Sequence, residues 1–429
     1  MSSQPPGPRL PMLVQTYLFG SQRHRWLPAL RRRYGDVFQI RIAPKRRRLV
    51  LIARPDVIRD VFAGPATTYH AGESNTILEP LMGSQSLLML DEDDHLAARR
   101  QLMPAFSGAA LRGYRDLVAE IMREQTAGWP SGEPVSLHPR FQTVTLEVIM
   151  RVVFGVTDQD RLARLRPLVE RIVAVNALIM LAGYYPRLRR YGPWRRHLEI
   201  QQRLDDLLYA EIADRRRTDD IEDRRDVLSR LLATPDGSWT DEQLRDNLIT
   251  LLLAGHETTA TALAWALHEL ARNPQAQSAA RRAADAGEGD YLTAVAKETL
   301  RLHTVIYETG RLLTKPTTVA GYDLPAGVSV MPAIGLVHGD PREHPSPERF
   351  RPERFLGDDP PSSQTWLPFG GGTRRCLGAG FSLMESEVVL RELLTRFEVR
   401  PADPRAEATI ARNITLAPAD GARVILARR

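Results

Sequence analysis

The chain has 429 residues, 43% hydrophobic and 26% charged, a balance that excludes a disordered protein and allows a core large enough to enclose a big ligand. A single cysteine, Cys376, excludes an internal disulfide and any multi-cysteine zinc or iron–sulfur site; a disulfide-free chain of this size suits a reducing compartment, so the cytoplasm is expected. The net charge of +6 is carried almost wholly by arginine, with lysine only at Lys45, Lys297 and Lys315, and without a helix-turn-helix, zinc finger or aromatic-plus-basic strand pattern it does not point to nucleic acid.

Residues 1–8, with Pro5-Pro6-Gly7-Pro8, read as a leader and carry no secretory signal. Leu10 to Phe19 is apolar, but Pro11 interrupts it and it falls short of the roughly 20 residues that span a bilayer. Val37, Ile40 and Ile42, then Leu49-Val50-Leu51-Ile52, flank the basic turn Pro44 to Arg48 and predict a β-hairpin. Asp91-Glu-Asp-Asp-His-Leu-Ala-Ala-Arg-Arg100 opens with the acidic run of a helix N-terminus, which places His95 and Arg99 one turn apart on one face. By itself that pattern is an ordinary solvated helix face.

The clearest helix runs from Thr240 to Asn273, with Thr240 and Gln243 as a capping box and Pro274 as its stop. It would be about 50 Å long. From Leu248 to Leu267 it is apolar nearly all round, as in a helix threaded through a core. Ala254-Gly255-His256-Glu257-Thr258-Thr259 interrupts that run. Gly255 weakens a helix interior and the threonines can bond back to the preceding turn, so a local distortion with a small polar notch is expected there. An acid beside an alcohol in such a notch could pass protons.

Asp285 to Asp290 and Gly357 to Ser363 are the most linker-like stretches. Neither separates segments that look independently complete, so residues 1–429 read as one domain. Thr317 to Val330, Phe397 to Val399 and Val424 to Leu426 read as short strands, giving a fold mainly α with a small β region.

Phe369-Gly-Gly-Gly-Thr-Arg-Arg-Cys-Leu-Gly-Ala-Gly380 is the strongest constellation. Its glycines let the backbone turn sharply and approach a flat ligand. Arg374, Arg375 and a helix starting near Phe381 favour the thiolate form of Cys376, a soft ligand suited to iron. A lone cysteine is more often an inert buried side chain. A phosphate loop is excluded because no Gly-Lys-Ser/Thr follows the glycines.

Phe369, Gly372, Arg374, Cys376 and Gly378, at this spacing, resemble the haem-binding signature of the cytochrome P-450 family of haem-thiolate monooxygenases, in its soluble bacterial type. Further motifs follow in the family's order from about Pro5 to the C-terminus: Ala254 to Thr259, Glu298-Thr-Leu-Arg301, and Pro352-Glu353-Arg354-Phe355. Pro347-Glu348-Arg349-Phe350 is a near-copy of the last, but the second copy has the usual distance to the cysteine loop.

The resemblance implies the cytochrome P-450 fold with its long central helix crossing the molecule. It implies haem b with Cys376 as the axial iron ligand, and Phe369 and Gly378 in the cofactor-binding loop. Glu257 and Thr258 would deliver protons to dioxygen, while His95, Arg99, Arg374 and Arg311 would hold the haem propionates. Glu298, Arg301 and Arg354 would be scaffold. The expected reaction inserts one oxygen atom into a lipophilic small molecule, by hydroxylation or epoxidation. Electrons would come from NAD(P)H through a separate ferredoxin and ferredoxin reductase. A monomer without a membrane span is expected, and secondary metabolism such as terpenoid or polyketide tailoring is the expected setting. Pocket walls are expected in Ile77 to Leu90, Ala177 to Tyr185, Val305-Ile306-Tyr307 and Ile414-Thr415-Leu416. Two rivals stay open: a peroxygenase using hydrogen peroxide, and a non-catalytic haem-based binding or sensing protein. One departure stands out: Thr304 occupies a position where many members have proline.

Overall fold

The computed structural model describes residues 4–44, 46–155, 159–173, 185, 187, 190–233 and 239–429. They are mainly helical with a small β part, and they group into two compact units. One comprises Met1–His70, Val118–Val144 and Thr258–Arg429; the other comprises Ala71–Leu117 and Thr145–Glu257.

The first unit is built on a five-stranded sheet. β1 (Val37–Ile42) and β2 (Arg47–Ile52) form the expected antiparallel hairpin, with Val37 opposite Ile52. β2 pairs in parallel with β8 (Ser329–Pro332), and the sheet continues antiparallel through β5 (Arg311–Leu313) to β3 (Tyr69–His70). Both faces are covered, which accounts for the unbroken apolar run of β2. Val50 and Ile52 pack with Val57, Ile58 and Phe62 of α2 (Pro55–Ala63). Leu49 and Leu51 pack with Leu27 and Leu30 of α1 (Met12–Tyr34). β6 (Thr317–Val319) and β7 (Tyr322–Leu324) form one hairpin, β10 (Thr409–Arg412) and β11 (Thr415–Pro418) another. β12 (Arg423–Arg428) joins β9 (Phe397–Pro401) to β4 (Pro134–Ser136).

The helices of this unit include α11 (Pro274–Ala286), α12 (Asp290–Leu302), α13 (Ile334–His338) and α14 (Ala379–Leu394). Asp285–Asp290 is not a linker. Gly287 takes φ +74° and the Glu288 N–H reaches the Ala283 carbonyl at 2.8 Å, a tight C-cap between α11 and α12.

Glu298 is fully buried in α12 and is neutralised from two sides. Arg301 grips both of its oxygens at 2.8 Å, and the Arg354 Nε donates at 3.1 Å. Arg301 also donates to the carbonyls of His338 and Pro347 at 3.0 and 2.9 Å. The scaffold expected of these three residues is therefore a closed knot, tying α12 to the segments around 338, 347 and 354. Thr304 belongs to the same neighbourhood. Its hydroxyl donates to the Arg301 carbonyl at 3.1 Å and accepts from His338 Nδ1 at 2.8 Å. The Leu367 N–H fills His338 Nε2 at 2.9 Å, which fixes the tautomer. Burial, then nearby His344 and Arg301, hold His338 well below its usual pKa, so it sits neutral between these partners. Threonine at this position supplies an acceptor that a proline ring lacks.

The second unit holds α3 (Glu79–Met82), α4 (Glu92–Leu102), α7 (Gln159–Val173), α8 (Gly192–Arg216) and α9 (Val227–Leu232). Arg215 of α8 donates to Asp226, the cap of α9, at 2.8 Å and to the Phe154 carbonyl at 2.7 Å. α5 (Gly108–Ala127), α6 (Leu137–Phe154) and α10 (Asp241–Arg272) contribute residues to both units.

α10 is the long helix foreseen from the pattern. Its capping box is reciprocal: the Thr240 N–H meets Gln243 Oε1 at 3.0 Å, and the Gln243 N–H meets Thr240 Oγ1 at 3.1 Å. At 1.5 Å per residue it is about 48 Å long. α10 runs on as a helix through Gly255. Gly255 serves packing: a Cβ there would stand 2.9 Å from Ile149 Cδ1 on α6. Beside it His256 is 3% exposed and bound twice by Thr145 of α6. The Thr145 hydroxyl donates to the His256 carbonyl at 3.1 Å and meets His256 Nδ1 at 3.0 Å, so Nδ1 carries the proton. A second buried pair, His138 Nε2 on α6 and Thr261 Oγ1 on α10, lies at 3.1 Å.

Substitutions at two positions test these assignments. Thr145→Val, which keeps shape and removes the hydroxyl, should lower unfolding free energy by about 1–3 kcal/mol in urea melts, while Thr145→Ser keeps most of it. Equal stability of the Val and Ser variants would show that the pairing carries no weight. Thr304→Val should cost a similar ~1–3 kcal/mol by orphaning His338 Nδ1. A loss below about 0.5 kcal/mol, the scatter of ordinary surface changes, would contradict it.

Candidate active site

The cysteine loop is folded by its own backbone and by one neighbour. The Cys376 N–H donates to the Phe369 carbonyl at 2.9 Å, closing the loop, and the Gly370 N–H donates to Leu367 at 2.9 Å. Gly370 and Gly372 take φ +66° and +63°, a region that favours glycine. The glycines at 371 and 372 also let the loop lie against a neighbour. A Cβ at 372 would stand 2.0 Å from the Phe62 carbonyl oxygen, and one at 371 would stand 2.5 Å from the Phe62 ring. The loop thus lies backbone against backbone on the end of α2. α14 starts at Ala379, two residues before the expected Phe381, which brings the helix N-terminus closer to Cys376.

Phe62 also receives Arg311, the first residue of β5. The Arg311 guanidinium lies 5.3 Å from the ring centroid, and its Nη1 donates to the Gly310 carbonyl at 2.8 Å. Phe62 is therefore touched both by Arg311 and by the glycines of the loop that carries Arg374 and Cys376. Phe369 packs edge-on to Trp366 at 5.9 Å and against the cluster of Ala262, Leu300 and Val305. Ala262 lies one turn beyond Thr258 on α10, so this cluster links the cysteine loop to the helix that carries the threonine.

Arg311, Phe369, Arg374, Cys376, Gly378 and Thr258 all belong to the first unit; His95, Arg99 and Glu257 belong to the second. His95 is 3% exposed and Arg99 half-buried, so that face of α4 is not the solvated face its charge pattern suggests. Glu257 and Thr258 are half-buried, not fully buried as the apolar flanks imply, and Ala254 is exposed in mid-helix.

Three of the four expected pocket walls are tied down. In the second unit α10 holds the segment Gly83 to Leu88. Asp246 Oδ2 accepts from the Gln85 N–H at 2.9 Å, Asn247 Oδ1 from the Leu87 N–H at 3.0 Å, and the hydroxyls of Thr250 and Ser86 meet at 2.6 Å. In the first unit Val305 accepts from the Leu416 N–H at 2.9 Å and Ile306 bridges Thr415, which joins two other walls. Of Ala177 to Tyr185, residues 177–184 lie outside the described residues.

Residues that the sequence did not single out include Thr145, which braces His256, and Phe62, on which the loop rests. Glu385 is another. It is 1% exposed in α14, its Oε1 has no hydrogen-bond partner, and burial pushes its carboxyl up to about 8. It is thus neutral at pH 7, which avoids the cost of a buried carboxylate.

A thiolate-held, flat iron macrocycle with acidic edges needs an accessible sulfur, an open backbone beside it and cations. Cys376 is exposed, and a Cβ at Gly370 or Gly378 would meet nothing within 4 Å. With the cations Arg311 and Arg374 in the same unit, these residues fit a haem.

Comparison with known proteins agrees. The family model Cytochrome P-450 matches residues 5–424. Cytochrome P-450 135A1 of Mycobacterium tuberculosis is 47% identical over 426 residues, 98% of this chain and 95% of that protein. Cytochrome P-450 135B1 of Mycobacterium bovis is 45% identical, over 98% and 90% of the two chains. Among solved structures, retinoic acid-bound cyanobacterial CYP120A1 superposes with a TM-score of 0.85 at 23% identity, over 99% of each chain. The haem domain of cytochrome P-450DA gives 0.83 at 22% identity, over 99% and 97%. A loop that presents one exposed cysteine beside two cations, on this fold and with these relatives, places the chain in the cytochrome P-450 family of haem monooxygenases.

Proposed function

We propose that this chain works as a single catalytic domain that hydroxylates or epoxidises a lipophilic small molecule, in secondary metabolism such as terpenoid or polyketide tailoring. The observation that carries the reading is the exposed Cys376 at the closed end of its glycine loop. Haem, when bound, supplies the activation of dioxygen. The protein's part is to hold, orient and protonate. Cys376 Sγ holds the iron. Phe369 backs the loop and Gly378 leaves room beside the sulfur. Arg311 and Arg374, with His95 and Arg99, hold the propionate carboxylates through charge-assisted hydrogen bonds.

Glu257 and Thr258 are the proton path. Half-buried on a largely apolar stretch of α10, they can relay protons inward from solvent. His256 keeps that turn in register through Thr145. Walls rich in leucine, isoleucine and valine, at 77–90, 305–307 and 414–416, favour an apolar substrate. We further propose that the protein acts in the cytoplasm as a monomer, with electrons from NAD(P)H reaching it through a ferredoxin and its reductase.

The Glu257–Thr258 pair favours dioxygen over hydrogen peroxide as oxidant, because peroxide arrives already reduced and protonated. Turnover with ferredoxin, reductase and NAD(P)H should exceed turnover with peroxide alone. In Thr258→Ala, NAD(P)H consumption should continue while product formed per NAD(P)H falls at least about tenfold and peroxide accumulates, in line with loss of a positioned proton donor. Equal coupling in wild type and variant would remove Thr258 from the path. Turnover with peroxide alone that matches the reductase system would favour a peroxygenase.

A further inference from the structure

The first unit buries one charged pair that is not hydrogen-bonded to itself. Arg23 of α1 and Glu308, in the segment between α12 and β5, have side chains 3% and 10% exposed. Arg23 Nε lies 3.6 Å from Glu308 Oε1, close enough for an ion pair and too far for a hydrogen bond. Arg23 Nε and Glu308 Oε2 have no hydrogen-bond partner among the described residues, and neither has Thr309 Oγ1, one residue on. Buried polar atoms without partners are rare, and each calls for a reason. Burial pushes the Glu308 carboxyl up, against the pull of Arg23.

Both sides of this gap are anchored elsewhere. Arg23 Nη2 donates to the carbonyls of Asn413 at 2.8 Å and Thr415 at 3.2 Å, which ties it to the β10–β11 hairpin. Glu308 sits between two fastened residues. The Gly335 N–H donates to the Tyr307 carbonyl at 3.0 Å, and the Thr309 N–H donates to the Pro332 carbonyl at 3.2 Å. The Tyr307 ring is so close to Gly335 that a Cβ there would stand 2.1 Å from it. By contrast Arg301 and Glu298, a pair that serves the scaffold, close to 2.8 Å. The gap also lies where two expected pocket walls meet. Glu308 directly follows the wall 305–307, Arg23 is bonded to Thr415 of the wall 414–416, and Ile306 bridges Thr415 between them.

We propose that Arg23 and Glu308 form a subsite for a hydroxyl group of the substrate, which donates to Glu308 and accepts from Arg23 Nε while its apolar body lies along the walls 305–307 and 414–416. This rests on the proposed oxidation of a lipophile and narrows it: the substrate is an alcohol, not a plain hydrocarbon. The two charges select the class. An ammonium group would face a guanidinium that keeps its proton. A carboxylate would face a second acid. An alcohol is uncharged and both donates and accepts, so it fills both orphaned atoms at once. Glu308 is then a specificity-determining residue, and holding the hydroxyl at one end limits which carbons can be presented for oxidation.

The test is titration of the full haem-loaded chain, read as the spin-state shift of the haem absorbance. The ligands are decane and adamantane, each as the hydrocarbon, the alcohol, the trimethylammonium salt and the carboxylate. The alcohol of at least one frame should bind at least about tenfold more tightly than its hydrocarbon, as one net hydrogen bond provides, and more tightly than either charged form. Glu308→Leu should lose that advantage. Glu308→Gln keeps an acceptor and removes the negative charge, so it should hold the alcohol within about threefold and bind the carboxylate at least about tenfold more tightly than wild type does. If Glu308→Leu fails to fold, the wild-type and Glu308→Gln comparisons still decide. Hydrocarbons that shift the spin state while alcohols gain nothing would overturn the subsite, leaving a gap filled by water only, and would leave the reading of a lipophilic substrate standing. An alcohol preference that survives in Glu308→Leu would place the hydroxyl elsewhere and overturn it as well. A chain whose spin state none of these ligands shifts would overturn both.

Discussion

The backbone of the cysteine loop runs so close to α2 that no side chain fits between them. A Cβ at residue 372 would stand 2.0 Å from the carbonyl oxygen of Phe62, and Gly372 also takes φ +63°. Both requirements exclude every residue but glycine without a shift of the main chain. The contact sets where the loop can lie, and the Cys376 N–H to the Phe369 carbonyl then sets where the sulfur points within it. Arg311 reaches the same Phe62 ring from β5. α2 is packed in turn on the sheet through Val57, Ile58 and Phe62, so the position of the loop is referred to the core of its unit.

α10 divides its labour along its length. Near its start it is polar, and Asp246, Asn247 and Thr250 hold the segment Gly83 to Leu88. Past its middle it is apolar and packs the core around Ala262. Between these, Gly255 admits Ile149, and His256 is held by Thr145. The clamp on the His256 carbonyl and ring fixes the rotation of the turn from which Glu257 and Thr258 project. A chain that needs an acid and an alcohol at one place on a long helix benefits from a brace next to them rather than from flexibility.

Much of this was legible before any coordinates. The β1–β2 hairpin follows from alternation around a basic turn, and α10 follows from its capping box and its closing proline, because those signals are local. The cysteine loop is legible because its residue types and spacing are dense and its cysteine is unique. What was not legible depends on pairs far apart in the chain. Thr145 and His256 are 111 residues apart, and nothing in either neighbourhood names the other. The contact of Gly371 and Gly372 with Phe62 is of the same kind: glycines that permit close approach do not say what approaches. The packing of Gly255 against Ile149 of α6 is likewise invisible in its own neighbourhood. Asp285–Asp290 looked like a linker because a helix C-cap and a linker share composition.

The role proposed for Cys376 is to hold a haem iron through its thiolate. The most direct test is the absorption spectrum of the reduced protein under carbon monoxide, taken for wild type and for Cys376→Ser. The account predicts a strongly red-shifted Soret band in wild type and its loss in the variant, with haem still retained by the remaining contacts to a measurable degree. A wild type that binds no haem, or a variant that keeps the red-shifted band, would contradict it.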